Sequence, residues 1–389
     1  MSSIELFAGA GGLAMGMARA GFQHSVVVEW DDDACKTIRE NRTHYDSNGE
    51  DFVLFEGDAR EFDLTPYAGR VEVISGGPPC QPFSLGGKHK GNLDERDMFP
   101  TAVQAVNRTM PRAFIFENVK GLLRKSFASY FEYTYLQLSH PEVVKYPGET
   151  WEGHLARLER LHTSGTQPTY NVVFRLLNAA DYGVPQKRER VFLIGFRADL
   201  GVEWAFPKPT HSEDALLRAK WITREYWERH RIARQKRPAI PERIKNRIKR
   251  VASEEQEITG RLPWRTVRDA ISDLPDPEKP SVVTVPNHIF NPGARVYKGH
   301  TGSSYDEPSK TLKAGAHGVP GGENMLVRDD GSVRYFTVRE AARLQTFPDD
   351  YVFHGAWGET MRQLGNAVPV QLAEAVARSV SRALRELPM

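Results

Sequence analysis

"SIELFAGAGGLA" (residues 3–14) is an apolar strand-like run that breaks into a glycine-rich turn and resumes as helix-forming residues. The turn fits G-x-G-x-x-A at Gly9, Gly11 and Ala14, with Gly12 inside it. The next strand-like run, "HSVVVEW" (residues 24–30), ends on Glu29 and Trp30. Glycines let backbone approach a ligand closely, and a carboxylate about 20 residues further on can take ribose hydroxyls. The stretch therefore predicts a nucleoside-cofactor loop on a doubly wound sheet. It leaves open a dinucleotide or S-adenosylmethionine, since both present an adenosine ribose.

Outward from that loop the pattern repeats. "FVLFE" (52–56), "VEVIS" (71–75) and "AFIFE" (113–117) are further short apolar runs, separated by amphipathic stretches at 32–41 and 98–109. Two more strands are expected at 170–177 and 190–196. Such alternation predicts an α/β fold, a doubly wound and mostly parallel sheet covered by helices on both faces. An irregular piece at 139–168 reads as an insertion. From about residue 207 to 330 the βα alternation stops and Pro, Gly and charge dominate, which predicts a second, smaller domain. Helical spacing returns in "TVREAARLQTF" (337–347) and in the closing amphipathic stretch "QLAEAVARSVSRALREL" (371–387).

The net charge of +2 conceals an asymmetry. Residues 218–250 hold thirteen Lys or Arg against three Glu, the footprint of a segment that meets a polyanion. Two cysteines among 389 residues cannot frame a disulfide network, and point to a reducing compartment. No Cys-x-x-Cys or His-x-x-x-His pair suggests a metal, no apolar run is long enough to span a membrane, and the N-terminus lacks the basic region of a signal peptide. A soluble cytoplasmic protein, with no metal and no membrane contact, is expected.

"SGGPPCQPFS" (75–84) places Cys80 just past the fourth strand, where open α/β sheets bind ligands. Cys35, inside a helical stretch, reads as an ordinary buried thiol. Cys80 does not: two prolines stiffen the approach to it, and "GGKHKGNLDER" follows as a Gly- and Lys-rich segment suited to a closing loop. "EGDAR" puts Asp58 after the third strand, placed to receive an adenine amino group.

"PPCQPFS" and "FAGAGG", followed in order by "ENV" (117–119), "QKRER" (186–190), "REAARLQTFP" (339–348) and "GNAVPV" (365–370), resemble the DNA (cytosine-5) methyltransferase family of prokaryotic restriction-modification systems. The resemblance runs over nearly the whole chain. It implies methyl transfer from S-adenosylmethionine, leaving S-adenosylhomocysteine, to carbon 5 of a flipped-out cytosine in a short specific duplex DNA sequence. Carbon 5 is a poor nucleophile until a thiolate adds to carbon 6, the part that falls to Cys80. Glu117 would meet ring nitrogen 3 as an acid, its pKa raised toward neutrality. Arg190 would hold the cytosine carbonyl, and Arg188 would support the site or a nearby phosphate, the alternative being that one of the two is purely a structural salt-bridge partner.

The cofactor would be held by Phe7, Gly9, Gly11, Gly12, Glu29, Trp30, Asp58 and Pro79, with Asn366 and Val368 arriving from the far end of the chain. Trp30 would stack on adenine, a core position being the alternative. This makes the catalytic domain discontinuous, residues 1–206 and 331–389, around a target recognition domain with a basic insertion at 207–330. DNA contacts fall to Gln81, Ser84, Lys88, Lys90 and Arg96 on the loop, and to Thr311, Lys313 and His317 in "SKTLKAGAHGVPGGEN" (309–324). The basic segment would add sequence-blind, salt-dependent affinity.

A monomer near the nucleoid is further expected, of minimal build without an N-terminal regulatory domain, either paired in function with a restriction endonuclease without a stable complex or acting alone. Three other readings compete. A tRNA-methylating branch shares the Cys80 loop but carries a Cys-Phe-Thr string, and no cysteine follows Cys80 here. A silent DNA-binding regulator would have no need of both Cys80 and Glu117. A nicotinamide oxidoreductase accounts for the glycine loop alone.

Overall fold

The computed structural model describes residues 1–45, 51–79, 97–253, 260–296, 301–314 and 322–387. The chain forms two compact units. The first comprises residues 1–177, 189–207 and 373–389, the second residues 178–188 and 208–372. The division falls inside the QKRER string, with Gln186 to Arg188 in one unit and Glu189 and Arg190 in the other.

The first unit is built on a seven-stranded sheet in the order β3-β2-β1-β4-β5-β7-β6. Its strands are β1 (Ser2–Leu6), β2 (Gln23–Glu29), β3 (Val53–Glu56), β4 (Val73–Gly76), β5 (Ala113–Val119), β6 (Tyr170–Asn178) and β7 (Glu189–Arg197). β1 to β5 pair in parallel and β7 runs antiparallel to β5. The strand order reverses between β1 and β4, the switch point where open sheets of this kind take ligands. Central strands are buried on both faces, so they read as apolar runs rather than alternating ones.

Helix α1 (Gly12–Arg19) follows β1 directly, and its N-cap, Gly11, lies in the left-handed region at φ 76°. α2 (Asp32–Glu40) starts where the Asp31 side chain accepts from Ala34 N at 3.0 Å, with Asp32 and Asp33 complementing the helix dipole. α3 (Phe99–Thr109) and α4 (Ala128–Ser139) flank β5 in the chain. The stretch 139–168 is not irregular throughout: α5 (Trp151–Thr163) forms within it, capped by Thr150. Leu155 and Leu158 pack there on Tyr133 and Leu136 of α4. Its apolar residues are sparse and lie one turn apart, which hid the helix beneath the surrounding charge.

In the second unit the basic stretch is not a single helix. It is divided among α6 (Glu213–Trp221), α7 (Glu225–Arg229) and α8 (Lys245–Ser253), with single 3-10 turns at Arg234–Lys236 and Glu242–Ile244. A small three-stranded sheet joins Ser303–Ser304, Met325–Val327 and Val333–Tyr335. The helix Val338–Leu344 opens with a capping box between Thr337 and Glu340, whose buried carboxylate also takes two bonds from Arg334 at 2.5 and 2.6 Å. No helix among the described residues is long and apolar enough to cross a membrane.

Candidate active site

The glycine loop turns on three consecutive departures from ordinary backbone: Phe7, Gly9 and Gly11 all have positive φ. A Cβ on Gly11 would run into the Tyr45 ring, 2.8 Å from Cε1, so only glycine fits there. A Cβ on Gly9 would meet nothing within 4 Å. The space over Gly9 is thus open, as a nucleoside lying against the loop requires. Glu29, 6% exposed, braces the loop: one carboxylate oxygen accepts from Gly9 N at 2.6 Å, the other from Trp30 N and Asp31 N at 2.9 Å. Burial nevertheless pushes its carboxyl above the usual range.

Trp30 beside it is 76% exposed, so the core alternative does not describe it. Asp58 follows β3 and binds its neighbour Arg60, whose hydrogen bonds hold the carboxyl below its ordinary range. Around the loop the structure thus sets open space over Gly9, a buried and backbone-braced carboxylate, and an exposed indole.

β4 leads through Gly76 and Gly77 to Pro78 and Pro79. Cys80 itself lies outside the described residues, as do Gln81, Ser84, Lys88, Lys90, Arg96 and His317. The approach to it is well defined. Asn118 donates to Pro78 O at 3.0 Å, and a Cβ on Gly77 would stand 3.3 Å from the Glu117 carboxylate. Met98 N donates to Pro79 O at 3.1 Å, so residues 79 and 98 meet, and the Tyr130 hydroxyl donates to Asp97 at the same place.

Glu117 stands near the end of β5, two residues before the Val119–Arg190 pair in the β5–β7 register. Arg190 Nε lies 2.7 Å from Glu117 Oε1, with the side chains 9% and 7% exposed. Burial pushes the Arg190 guanidinium below its ordinary value, while Glu117 acts to restore it. The chain therefore brings Glu117 and Arg190 together beside the segment that carries Cys80.

In the second unit, Arg188 is fully buried and donates to three carbonyls: Leu312 at 2.9 Å, Gly365 at 2.5 Å and Ala367 at 2.9 Å. Gln186 accepts from Leu312 N at 3.1 Å and donates to Leu344 O at 3.3 Å. Residues 186–188 thus clamp the segment holding Thr311 and Leu312 to the helix Trp357–Asn366 that ends in the GNAVPV string. Gly365 is needed there because a Cβ would lie within 2.7 Å of Ala314 Cα. Asn366 closes that helix and Val368 is buried just beyond it.

Thr311 donates to Lys187 O at 2.7 Å, and Lys313 pairs with Glu323 at 2.8 Å. Asn118, Gln186 and the buried Glu5 were given no role from sequence. Asn118 and Gln186 lie in the ENV and QKRER strings, and Glu5 shows as an acid in the middle of an apolar strand. No cluster of three metal-ligating side chains occurs among the described residues.

A family model for C-5 cytosine-specific DNA methylases matches residues 1–142 and 144–382. Type II methyltransferase M.PspPI of Psychrobacter sp. is 32% identical over 398 residues, covering 100% of this chain and 80% of that protein. Type II methyltransferase M.NgoMIV of Neisseria gonorrhoeae is 30% identical over 402 residues, covering 99% of this chain and 98% of that protein. Among solved structures, the S. pombe Dnmt2 methyltransferase superposes with a TM-score of 0.55 at 16% identity, over 99% of this chain and 98% of that one. That last likeness is one of fold.

Proposed function

The chain belongs to the C-5 cytosine-specific DNA methylase family, and from that premise we propose that Cys80, Glu117 and Arg190 carry its reaction. The reaction is the family's: methylation of cytosine carbon 5 in DNA, with S-adenosylmethionine supplying the methyl group as an electrophile. Phe7, Gly9, Gly11, Gly12, Glu29, Trp30, Asp58 and Pro79 hold that cofactor, completed by Asn366 and Val368.

Cys80 adds as the thiolate to carbon 6, forming a sulfur–carbon bond and making carbon 5 nucleophilic. Glu117 places a proton at ring nitrogen 3, which quenches the charge entering the ring. Loss of the carbon 5 proton to a water molecule after methylation then expels Cys80 as the thiolate, and the nitrogen 3 proton returns to Glu117. Base-free, Arg190 and Glu117 satisfy each other in a buried setting where neither could stand alone. Arrival of the cytosine exchanges that pair: the Arg190 guanidinium moves onto the base carbonyl, and Glu117, buried and relieved of its cation, takes up a proton from solvent and presents it to nitrogen 3. Since carbon 6 is stacked within a duplex, the base is flipped out, at a cost of a few kcal/mol.

One observation supports this reading above the rest. The Glu117–Arg190 pair sits against Gly77, and Asn118 holds Pro78, so acid, guanidinium and the approach to the thiol share one end of the sheet. The residues 1–206 and 331–389 act as the catalytic domain and 207–330 as the target recognition domain, with Thr311, Lys313 and His317 reading bases and Gln81, Ser84, Lys88, Lys90 and Arg96 meeting the DNA. The enzyme works as a cytoplasmic, nucleoid-associated monomer on a short duplex sequence, paired in function with a restriction endonuclease.

Bisulfite sequencing of DNA from a methylation-free bacterial host tests the core of this. Methylcytosine confined to one short motif is expected, and none from Cys80→Ala. A Cys80→Ala protein that still deposits methylcytosine would remove the covalent step.

A further inference from the structure

Ten of the thirteen cations of the basic stretch fall into two sets of five. The inner set is neutralised within its own unit. Lys220 is 3% exposed and lies 2.8 Å from Glu307 Oε1 and 2.7 Å from Asp306 O. Arg229 pairs with Asp269 at 2.7 Å, Lys245 with Glu242 at 2.5 Å, Arg247 with Glu213 and Asp214 at 2.7 Å, and Arg250 with Asp214 at 3.2 Å. The Arg247 and Arg250 pairs lock α8 onto the acidic first turn of α6.

The outer set is different. Arg231, Arg234, Lys236, Arg243 and Lys249 are exposed, and their side chains make no ion pair among the described residues. Arg234 and Lys236 share one 3-10 turn, and Arg243 occupies the next. On α8, Ile248 and Val251 face inward and Lys249 falls outside. The single acid within 231–249, Glu242, is already bound to Lys245. A surface decorated only for solubility intersperses both signs. Within 231–249 the one acid is used on Lys245, and the five outer cations make no ion pair among the described residues, the exposed Glu225 and Glu228 lying just before them in the chain.

We propose that this outer set is a sequence-blind contact for the phosphate backbone of duplex DNA, separate from the side chains that read bases. The proposal rests on the reading of the chain as a DNA methyltransferase. Each phosphate neutralised releases condensed counterions, which steepens the fall of affinity with salt by about 0.9 per contact on a log–log plot.

The test measures binding of the full chain to a random-sequence DNA duplex between about 50 and 200 mM salt. One variant carries Arg231→Gln, Arg234→Gln, Lys236→Gln, Arg243→Gln and Lys249→Gln together. A control removes the same charge elsewhere, with Arg70→Gln, Arg108→Gln, Lys145→Gln, Arg160→Gln and Arg382→Gln. The first variant should flatten the slope by roughly 4 and weaken low-salt binding by on the order of 100-fold or more. Its melting temperature and S-adenosylmethionine affinity should match those of the unaltered chain. An unchanged slope, an equal loss in the control, or a loss seen with tRNA and not with duplex DNA would overturn the proposal. Unaltered protein that binds duplex steeply but leaves no methylcytosine in cells would instead overturn the catalytic reading and leave this surface standing.

Discussion

Trp30 stands 76% exposed beside a carboxylate that is almost wholly buried, an unusual place to leave an indole unless something covers it. Its removal should cost the fold little and the cofactor much. Trp30→Ala is expected to weaken S-adenosylmethionine binding by about 5- to 10-fold, matching the roughly 1 kcal/mol of a stacked aromatic contact, with an unchanged melting curve. Equilibrium titration checks it. Glu5 makes the opposite case, a residue whose effect belongs to stability. It lies on β1, 1% exposed, takes a hydrogen bond from the Ser75 hydroxyl across the β1–β4 pair, and burial raises its pKa from 4.5 to about 8. The folded chain therefore keeps a proton that the unfolded chain releases above about 4.5, so Glu5 lowers stability progressively as pH rises from 4.5 to about 8. Glu5→Gln, which cannot ionise, should flatten that part of the pH–stability curve, with its largest gain over the unaltered chain near pH 8. Denaturant melts at several pH values would show it.

At the scale of elements, short strings far apart in the chain are locked by backbone contacts. The segment Thr311–Ala314 passes so close to the helix ending in GNAVPV that Gly365 has no room for a side chain, and the Arg188 fork then ties Leu312 to Gly365 and Ala367. Gly365→Ala should destabilise by about 1–3 kcal/mol through overpacking against backbone that cannot yield. Arg188→Met leaves three buried carbonyls short of a donor and should cost about 3 kcal/mol or more. Both are read from denaturant midpoints, and both should lose activity in proportion to folded protein. A variant that stayed fully folded yet inactive would show that these residues act on the chemistry directly. The closing helix, Val370–Arg385, announced itself through its apolar spacing, and α5 did not, because its few leucines are separated by charge.

At the scale of the whole molecule, ligand and stability are linked. S-adenosylmethionine at about 100 times its dissociation constant should add about 2.7 kcal/mol to unfolding and raise the melting temperature by a few degrees. Gly9→Ala tests where that energy arises. The new Cβ meets no protein atom, although the positive φ carries its own strain, so a folded variant that has lost the ligand-induced shift would assign the open space to the cofactor. Much of this molecule was decided locally. Strand runs, the glycine turn and the positions of Glu29 and Glu117 follow from apolar periodicity and from the backbone freedom of glycine, which neighbours along the chain suffice to express. Three things waited for tertiary structure: the pairing of Arg190 with Glu117, the burial of Arg188 among carbonyls, and the division of one basic stretch into neutralised and uncompensated cations. Each depends on which distant side chain lies within hydrogen-bonding reach. That distance is set by strand register and helix packing, and no spacing along the sequence encodes it.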